Sequence, residues 1–261
     1  MTDKPTPYES LPPDYYDKRA RQHINWPLHF IGRKALSAFL RIEQGSGLAV
    51  RAPQSVRDYA KTGKPMLVSA THRSWMDISM FVQATQKVGI DHTRPLSKIE
   101  NIQKYAALSW FFHQVGLFAA VREDPDLEGI DKVFTAASSR RQNTLVFPEG
   151  TRVLDDIAHV NSYARTPAMM AMTHGFAIVH LAMVGGGVGE TIDSRHTFKG
   201  EHIPVANHPV AQFGEVIQLQ YDPSVALVRQ AGIATRTILN PDLQQTLDIA
   251  YDTRTQLMRT A

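Results

Sequence analysis

The fold of this chain is most strongly constrained by an alternation of short apolar runs with longer segments of helical periodicity. The clearest apolar runs are KPMLVSA (64–70), LFAAVR (117–122), NTLVFP (143–148) and FAIVHLAMV (176–184). The segments between them run for about ten to sixteen residues, with apolar residues three or four positions apart. Strands that alternate with helices in this way build a sheet with helices on both faces. We therefore predict an α/β fold with a mostly parallel or mixed central sheet flanked by helices.

The same periodicities place further elements. We predict helices at residues 74–89, 101–116, 126–141, 165–175 and 240–258, and two further strands at 93–98 and 213–219. Residues 190–212 are polar and show neither period, so no regular structure is predicted there. A chain of 261 residues is long enough for one α/β domain and short for two.

The amino-terminal part differs in composition from the rest. Residues 1 to about 24 are rich in proline, tyrosine and charge and are predicted to form an arm. Residues 26–43 have the period of an amphipathic helix. Its predicted apolar face comprises Leu28, Ile31, Ala35, Ala38, Phe39 and Ile42, and its polar face Arg33, Lys34, Ser37 and Arg41. We therefore divide the chain into residues 1–45, an arm and a basic amphipathic helix, and an α/β domain at residues 46–261.

Two interpretations of this helix are open. The stretch from Lys18 to Arg51 carries a net charge of +6, twice the +3 of the whole chain. A basic helix with an apolar face and a tryptophan near one end suits the interface of an anionic membrane. The same pattern also suits a helix that packs on its own domain and keeps its charges in water.

Several classes of protein are excluded or disfavoured by composition. The chain contains no cysteine, which excludes disulfides, thiolate zinc sites and a cysteine nucleophile. No apolar signal sequence stands at the amino terminus. Residues 168–188 are apolar, but His174, Gly175 and His180 interrupt them, and we interpret them as a helix, a turn and a buried strand. No histidine cluster has zinc spacing, and we expect neither a metal nor a cofactor.

The first candidate motif, THRSWMD (71–77), follows the apolar run MLVSA. His72 stands between a predicted strand and a predicted helix, where an α/β fold gathers its ligand-binding loops. An imidazole can take a proton from a hydroxyl near neutral pH, and a carboxylate such as Asp77 can fix its tautomer. A structural interpretation is also open, because Ser74 and Asp77 have the spacing of a helix capping box.

The second candidate motif, VFPEGTR (146–152), also follows a predicted strand. Pro148 and Gly150 predict a tight turn from which polar side chains project. An ordinary strand-to-helix turn, with Arg152 paired to a nearby aspartate, would have the same composition. The motif is informative chiefly in combination with the first.

Together, HRSWMD and FPEGTR about 75 residues later resemble the glycerolipid acyltransferase family, whose bacterial type is 1-acylglycerol-3-phosphate acyltransferase. Lys98, Gly116 and Arg122 stand between the motifs in the order of the family's middle block. The resemblance extends over residues 60–185. The chain departs from the family in YARTPAMM (163–170), which lacks a glycine, and in AIVHLAMV (177–184), where His180 replaces a proline.

The resemblance implies a mechanism and a set of substrates. His72, oriented by Asp77, would remove a proton from an acceptor hydroxyl, which attacks an acyl thioester directly without an acyl-enzyme. The implied acceptor site comprises three phosphate-binding cations, Lys98, Arg122 and Arg152, and the turn residues Glu149, Gly150 and Thr151. The donor would be acyl-CoA or acyl carrier protein and the acceptor a lysophosphatidic acid-like glycerolipid. No nucleic acid partner is expected.

Location and two alternatives complete the expectations. The basic helix would hold the enzyme on the cytoplasmic face of the cell membrane as a peripheral protein. A catalytically idle membrane-binding relative is the first alternative, and a lipid or thioester hydrolase that uses the same histidine is the second. Acyl chain length, donor and acceptor headgroup are left open by the sequence.

Overall fold

A computed structural model of the chain describes residues 11–44, 47–73, 77–98, 106–120, 126–150, 159–160, 163–186, 195–198, 201–204 and 208–260. The described helices are α1 (Tyr15–Arg21), α2 (Trp26–Gln44), α3 (Gln54–Lys61), α4 (Asp77–Val88), α5 (Ala106–Gln114), α6 (Leu127–Ser139), α7 (Thr166–His174), α8 (Leu227–Ala234) and α9 (Asn240–Thr260). A π-helical turn, Thr235–Leu239, joins the last two.

The described strands are β1 (Ala49–Arg51), β2 (Met66–Ala70), β3 (Thr93–Lys98), β4 (Phe118–Ala120), β5 (Asn143–Val146), β6 (Ala177–Val184), β7 (Arg195–Phe198), β8 (Glu201–Pro204) and β9 (Val210–Ile217). Seven of them form one sheet in the order β1-β9-β6-β2-β5-β3-β4. Strands β6, β2, β5, β3 and β4 run parallel to one another, whereas β9 pairs antiparallel to β6. The predicted α/β fold with a mixed central sheet flanked by helices is therefore confirmed.

The two faces of the sheet carry separate cores, as the all-apolar strands predict for a sheet covered on both sides. Every residue of β2 is buried. Alternate residues of this strand, Met66, Val68 and Ala70, pack against the side that includes α4. Leu67 packs on the other side, against residues of α6 and α7. Strand β2 thus lies at the centre of the domain.

The structure differs from the sequence-based expectation at residues 190–212. Strands β7 and β8 form an antiparallel hairpin there, and β9 begins at Val210 rather than at residue 213. The first four residues of β9 are buried, and the strand pairs with β6 through residues such as Met183 and Ala211. These residues form a strand because they pair with residues that are distant in sequence. Local periodicity cannot predict such pairing.

Helix α1 lies within the segment predicted as an arm. Tyr15 and Tyr16 are buried in the core beside α6, and side chains from the domain bind the carbonyl groups at the end of the helix. Arg94 donates to the carbonyl of Arg19 over 2.7 Å, and Arg140 donates to the carbonyl of Ala20 over 2.8 Å. Cations at a helix carboxyl end are stabilised by the helix dipole. The division of the chain at residue 45 stays a prediction.

Helix α2 contacts α4 through residues of its predicted polar face. Arg33 pairs with Asp91, and the carbonyl of Ser37 accepts from Gln83 over 2.8 Å. Phe30 and Ile31 are instead 61% and 58% exposed. Helix α2 is thus docked on its own domain, and its contact with a membrane stays a prediction. No described helix combines the length and the apolarity that crossing a membrane would need.

Candidate active site

Both sequence motifs lie at the carboxyl edge of the sheet, on neighbouring strands. The loop with His72 follows β2, and the turn with Glu149 follows β5. Strands β2 and β5 are paired in parallel, with Ser69 opposite Val146. Parallel neighbours end at the same edge, so the two loops meet where an α/β sheet binds its ligands.

His72 and Asp77 form the hydrogen-bonded pair that the first motif predicts. His72 Nδ1 lies 2.9 Å from Asp77 Oδ2. The imidazole stacks on Phe147, the first residue after β5, with ring centroids 4.5 Å apart. Because the carboxylate only accepts, Nδ1 carries the proton and Nε2 keeps its lone pair. The side chain of His72 is 23% exposed and that of Asp77 is 1% exposed. The imidazole can therefore be reached from solvent, whereas the carboxylate that holds it is buried.

Asp77 is fixed by the loop that it serves. Its Oδ2 also accepts from the backbone N–H of Arg73 over 2.6 Å. Asp77 is the first residue of α4, where a carboxylate is stabilised by the helix dipole. The predicted cap partner, Ser74, lies outside the described residues. The carboxylate therefore has the orientation that a tautomer-fixing partner of His72 needs.

A buried ion pair joins the two motif loops. Arg73 Nη2 lies 3.2 Å from Glu149 Oε1, and both side chains are completely buried. The other oxygen of Glu149 accepts from the backbone N–H of His72 over 3.4 Å. Opposite charges in a dry interior hold each other firmly when hydrogen bonds satisfy them. The carboxylate of Glu149 thus sets the distance between the base and the second motif.

Arg73 is the residue of this site that sequence reasoning missed. It occupies a variable position of the first motif, and a single arginine among 28 basic residues is ordinarily a surface charge. Its side chain also donates to the carbonyl of His159 over 3.1 Å. The only signal in the sequence was the presence of an arginine in one motif and a glutamate in the other. Each of these motifs includes the loop that follows a predicted strand.

Gly150 closes the second motif in a conformation that needs glycine. Its φ is +65°, in the left-handed region, and its N–H donates to the carbonyl of Phe147 over 3.0 Å. A side chain at this position would meet open space, so the demand is on the backbone alone. Thr151 and Arg152 follow directly and lie outside the described residues. Their roles in acceptor binding stay predictions.

Of the other two predicted phosphate-binding cations, the structure describes the backbone of Lys98. Lys98 is the last residue of β3, and it pairs with Ala120 of β4 at the same carboxyl edge as the two loops. Arg122 comes two residues after β4 and lies outside the described residues. Strand β3 is the neighbour of β5, so Lys98 stands on the acceptor side of the predicted site. The position of Lys98 agrees with a phosphate clamp, and its function stays a prediction.

The described part of the chain brings together no group of three histidine or acidic residues that could hold a metal ion. What the geometry of the site does support is proton transfer by His72, beside a turn with a buried carboxylate.

Comparison with known proteins agrees with this geometry. A fold of the same kind occurs in the crystal structure of PlsC, the 1-acyl-sn-glycerophosphate acyltransferase from Thermotoga maritima. That structure shares 16% identity with this chain and superposes with a TM-score of 0.52, covering 93% of this chain and 86% of PlsC. No curated protein sequence matches the chain.

A family model described as Acyltransferase matches residues 51–192, which is more than half of the chain and includes both motifs. The resemblance drawn from His72, Asp77 and the FPEGTR turn is thereby confirmed, and the chain belongs to the acyltransferase family.

Proposed function

We propose that this acyltransferase moves a fatty acyl group from an acyl thioester to the hydroxyl of a lysophosphatidic acid-like glycerolipid. The observation that carries the proposal is the imidazole of His72, which is held at Nδ1 by buried Asp77 and lies at the surface. No described residue hydrogen-bonds its Nε2, which is the atom that would face the substrate. Acyl-CoA and acyl carrier protein are the two candidate donors.

The reaction needs only this chain and the two substrates. His72 Nε2 takes the proton of the acceptor hydroxyl as the oxygen attacks the thioester carbon. The carbon–sulfur bond then breaks, and the thiolate leaves and receives the proton from the imidazolium. Asp77 stabilises that imidazolium and holds the ring in one orientation. No covalent acyl-enzyme forms, in keeping with the absence of cysteine from the chain.

The carboxyl edge of β3, β5 and β4 supports an acceptor that carries a phosphate. Lys98 ends β3 there, Arg122 follows β4 in sequence, and Arg152 is the last residue of the second motif. Cations bind phosphate through charge-assisted hydrogen bonds, which are the strong ones. The Thermotoga maritima protein of similar fold is a 1-acyl-sn-glycerophosphate acyltransferase, which favours the same class of acceptor.

A panel of acceptors tests this proposal. The protein is incubated with palmitoyl-CoA and, in separate reactions, lysophosphatidic acid, lysophosphatidylglycerol, lysophosphatidylethanolamine or lysophosphatidylcholine, and thiol release and lipid products are measured. We expect a diacyl product, with the highest kcat/KM for lysophosphatidic acid. Acyl carrier protein that bears the same acyl chain is the second donor.

Two other results would replace the proposal with its alternatives. Free fatty acid formed at the same rate without any acceptor would identify a hydrolase. No turnover with any acceptor and either donor, together with normal vesicle binding, would identify a catalytically idle relative. The Arg152→Ala variant adds a third check, because loss of a phosphate clamp raises the acceptor KM more than it lowers kcat.

The exposed side of α2 supports a peripheral location on an anionic membrane. Its apolar residues Phe30 and Ile31 face outward, and Trp110 of the neighbouring helix α5 is 63% exposed. Lys34 lies 5.3 Å from the ring of Phe30, so a cation accompanies the apolar residues. An apolar surface edged by cations suits the headgroup region of a bilayer. We propose that this surface rests on the cytoplasmic face of the cell membrane.

Vesicle sedimentation tests the location. The Phe30→Ser/Ile31→Ser variant is compared with wild type on vesicles of phosphatidylcholine with and without phosphatidylglycerol. We expect wild type to sediment with the anionic vesicles and the variant to stay in solution. Ile249→Ser is the matched control, because Ile249 is an exposed isoleucine of α9 with 42% of its surface in solvent. Equal binding by all three proteins would contradict this surface.

A further inference from the structure

A row of four polar side chains, in which Ser69 and His180 are completely buried, lies beside the catalytic loops and has no part in the acyl transfer step itself. Ser69 Oγ lies 2.7 Å from the Tyr163 hydroxyl, which lies 3.0 Å from His180 Nε2. His180 Nδ1 in turn lies 2.6 Å from Asp242 Oδ2. We call Ser69, Tyr163, His180 and Asp242 the polar row.

The direction of each hydrogen bond in the polar row follows from burial. His180 is completely buried, and this burial lowers the pKa of its imidazole, so the ring is neutral near pH 7. A neutral ring has one N–H, which must point to the carboxylate of Asp242 and leave Nε2 to accept from Tyr163. Burial also raises the pKa of the Tyr163 hydroxyl, which therefore keeps its proton. Tyr163 then accepts from Ser69, and the row has one consistent arrangement.

The polar row connects the carboxyl-terminal helix to the segment beside the second motif. Asp242 belongs to the first turn of α9, and His180 belongs to β6. The residue after Tyr163, Ala164, donates its N–H to the carbonyl of Pro148 over 2.9 Å. Pro148 precedes Glu149 in the turn of the second motif. A displacement of Tyr163 therefore reaches the turn through one hydrogen bond.

The contact between α9 and the sheet is shaped to bring Asp242 to His180. Gly214 of β9 faces this contact, and a Cβ there would lie 2.7 Å from Thr246 Oγ1 and 3.0 Å from Asp242 Oδ2. Atoms at such distances overlap, so the strand needs glycine to let α9 approach. The close approach indicates that the hydrogen bond of Asp242 is a built feature of the fold.

Buried polar side chains such as Ser69 and His180 are not the most stable filling for a core. Apolar side chains of similar size at Tyr163 and His180 would need no hydrogen bonds, and such replacements are often neutral or stabilising. A hydrogen-bonded row, however, permits one arrangement, whereas apolar contacts permit several. Tyr163 and His180 also lie in the two stretches where the sequence departs from the family pattern.

We propose that the polar row positions the acceptor side of the active site, with Tyr163 as the positioning residue that acts through Ala164 and Pro148 on the turn of the second motif. This inference rests on the proposed function, because it concerns the acceptor of that reaction. Tyr163 touches no reacting atom. Its effect is confined to the place where the acceptor binds.

The Tyr163→Phe variant tests the proposal because it should change the Michaelis constant of the acceptor and leave that of the acyl donor unchanged. We expect the acceptor KM to rise by about 5- to 30-fold, because small displacements of a binding loop are costly. The KM of the acyl donor stays within twofold of wild type. A purely structural tyrosine would lower the melting temperature and leave both constants unchanged.

Tyr15→Phe is the matched control. The Tyr15 hydroxyl lies 3.1 Å from His113 Nε2, so it makes the same kind of contact with a histidine near strand β4 at the edge of the sheet. Both variants lose one buried tyrosine–histidine hydrogen bond, and we expect both to melt at a lower temperature. Only Tyr163→Phe is expected to change the acceptor KM.

The Tyr163→Phe/His180→Leu variant separates stability from positioning. It removes both partners of the central hydrogen bond, so the unpaired Nε2 of His180 is removed as well. Its melting temperature also reflects the loss of the partner of Asp242, whereas we expect the acceptor KM to stay raised as in Tyr163→Phe. An acceptor KM within twofold of wild type in both variants would overturn the proposal.

Amide exchange provides a measurement that does not depend on catalysis. The N–H of Ala164, which is bonded to Pro148, is expected to exchange faster in Tyr163→Phe than in wild type or Tyr15→Phe. Equal exchange in the three proteins would overturn the positioning role. If the wild-type protein transferred no acyl group to any acceptor, only the proposed function would be overturned. The positioning role would still be tested, because the exchange of Ala164 is measured without substrate.

Discussion

Two of the histidine–aspartate pairs in the described part of the chain are built on neighbouring strands, and they differ in what stands at Nε2. In each pair, Nδ1 of the histidine faces an aspartate Oδ2, at 2.9 Å for His72–Asp77 and 2.6 Å for His180–Asp242. His72 is partly exposed above buried Asp77. His180 is completely buried, and its Nε2 already accepts from Tyr163.

The difference shows that a histidine–aspartate pair is not in itself a catalytic device. A general base needs a free lone pair that a substrate can reach, and His72 has the exposure for this. His180 uses its lone pair to bind Tyr163 and its proton to bind Asp242, so it can only join elements together. The same two side chains therefore form a candidate base at the edge of the sheet and a structural contact inside it.

The largest effect is expected when His72 is removed. Acyl transfer by His72→Ala is expected to fall by about 10²- to 10⁴-fold, which is the usual contribution of a general base. The melting temperature should change little, because the side chain is partly exposed. His174→Ala is the control, since His174 also pairs with an aspartate, Asp131, at 2.8 Å but lies at the end of α7. A folded His72→Ala protein with near-normal turnover would refute the mechanism.

The two aspartates provide the next test of the comparison. Asp77→Asn should lower kcat by about 10²- to 10³-fold, because an amide cannot stabilise the imidazolium that forms on His72. Asp242→Asn should leave kcat within about threefold and raise the acceptor KM instead, because His180 stays neutral throughout. Steady-state kinetics at saturating donor separates the two. Similar losses of kcat in both variants would show that the two histidine–aspartate pairs do not differ in their role in the reaction.

The catalytic pair was predictable from the sequence because its parts are local. His72 and Asp77 are five residues apart, and strand periodicity placed them at a sheet edge. The second motif was predictable for the same reason, and the parallel sheet brought the two loops together. Lys98 was correctly assigned to the end of a strand, although its role is untested.

The supporting contacts were not predictable because they join residues distant in sequence. Arg73 and Glu149 are 76 residues apart, and His180 and Asp242 are 62 apart. Periodicity also cannot say which face of an amphipathic helix will be docked. Helix α2 has an apolar and a polar face in sequence, and tertiary packing selected the polar one through Arg33 and Ser37.

Removal of His180 is expected to affect stability more than any change at His72. His180→Ala leaves a cavity, and the hydroxyl of Tyr163 and the carboxylate of Asp242 lose their partner. Together these changes should lower the free energy of unfolding by about 2–4 kcal/mol. Urea denaturation of His180→Ala and His72→Ala at pH 7.5 measures the difference. Equal losses below about 1 kcal/mol would show that the polar row contributes nothing to the fold.

The smallest expected effect is a dependence of the free energy of unfolding on pH, which arises from buried histidines. Burial, together with the nearby charge of Arg19, lowers the pKa of His113 from 6.5 to about 4, so this ring stays neutral in the folded protein as the pH falls toward that value. The unfolded chain takes up a proton near pH 6.5, and the folded chain does so only near pH 4. Stability is therefore full above about pH 6.5 and falls between pH 6.5 and 4, by at most about 1.4 kcal/mol per pH unit for one group.

The carboxylates with shifted pKa values act in a lower range and leave this window clear. Lys61, for example, lowers the pKa of Asp58 below 3.8, so its contribution is lost only at more acid pH. We expect urea midpoints of wild type to fall between pH 7 and 5, and those of His113→Gln to fall less steeply. Parallel curves for the two proteins would show that His113 is protonated as readily when folded as when unfolded. His113 would then not be a histidine that burial keeps neutral, and it could not be contrasted with the partly exposed His72.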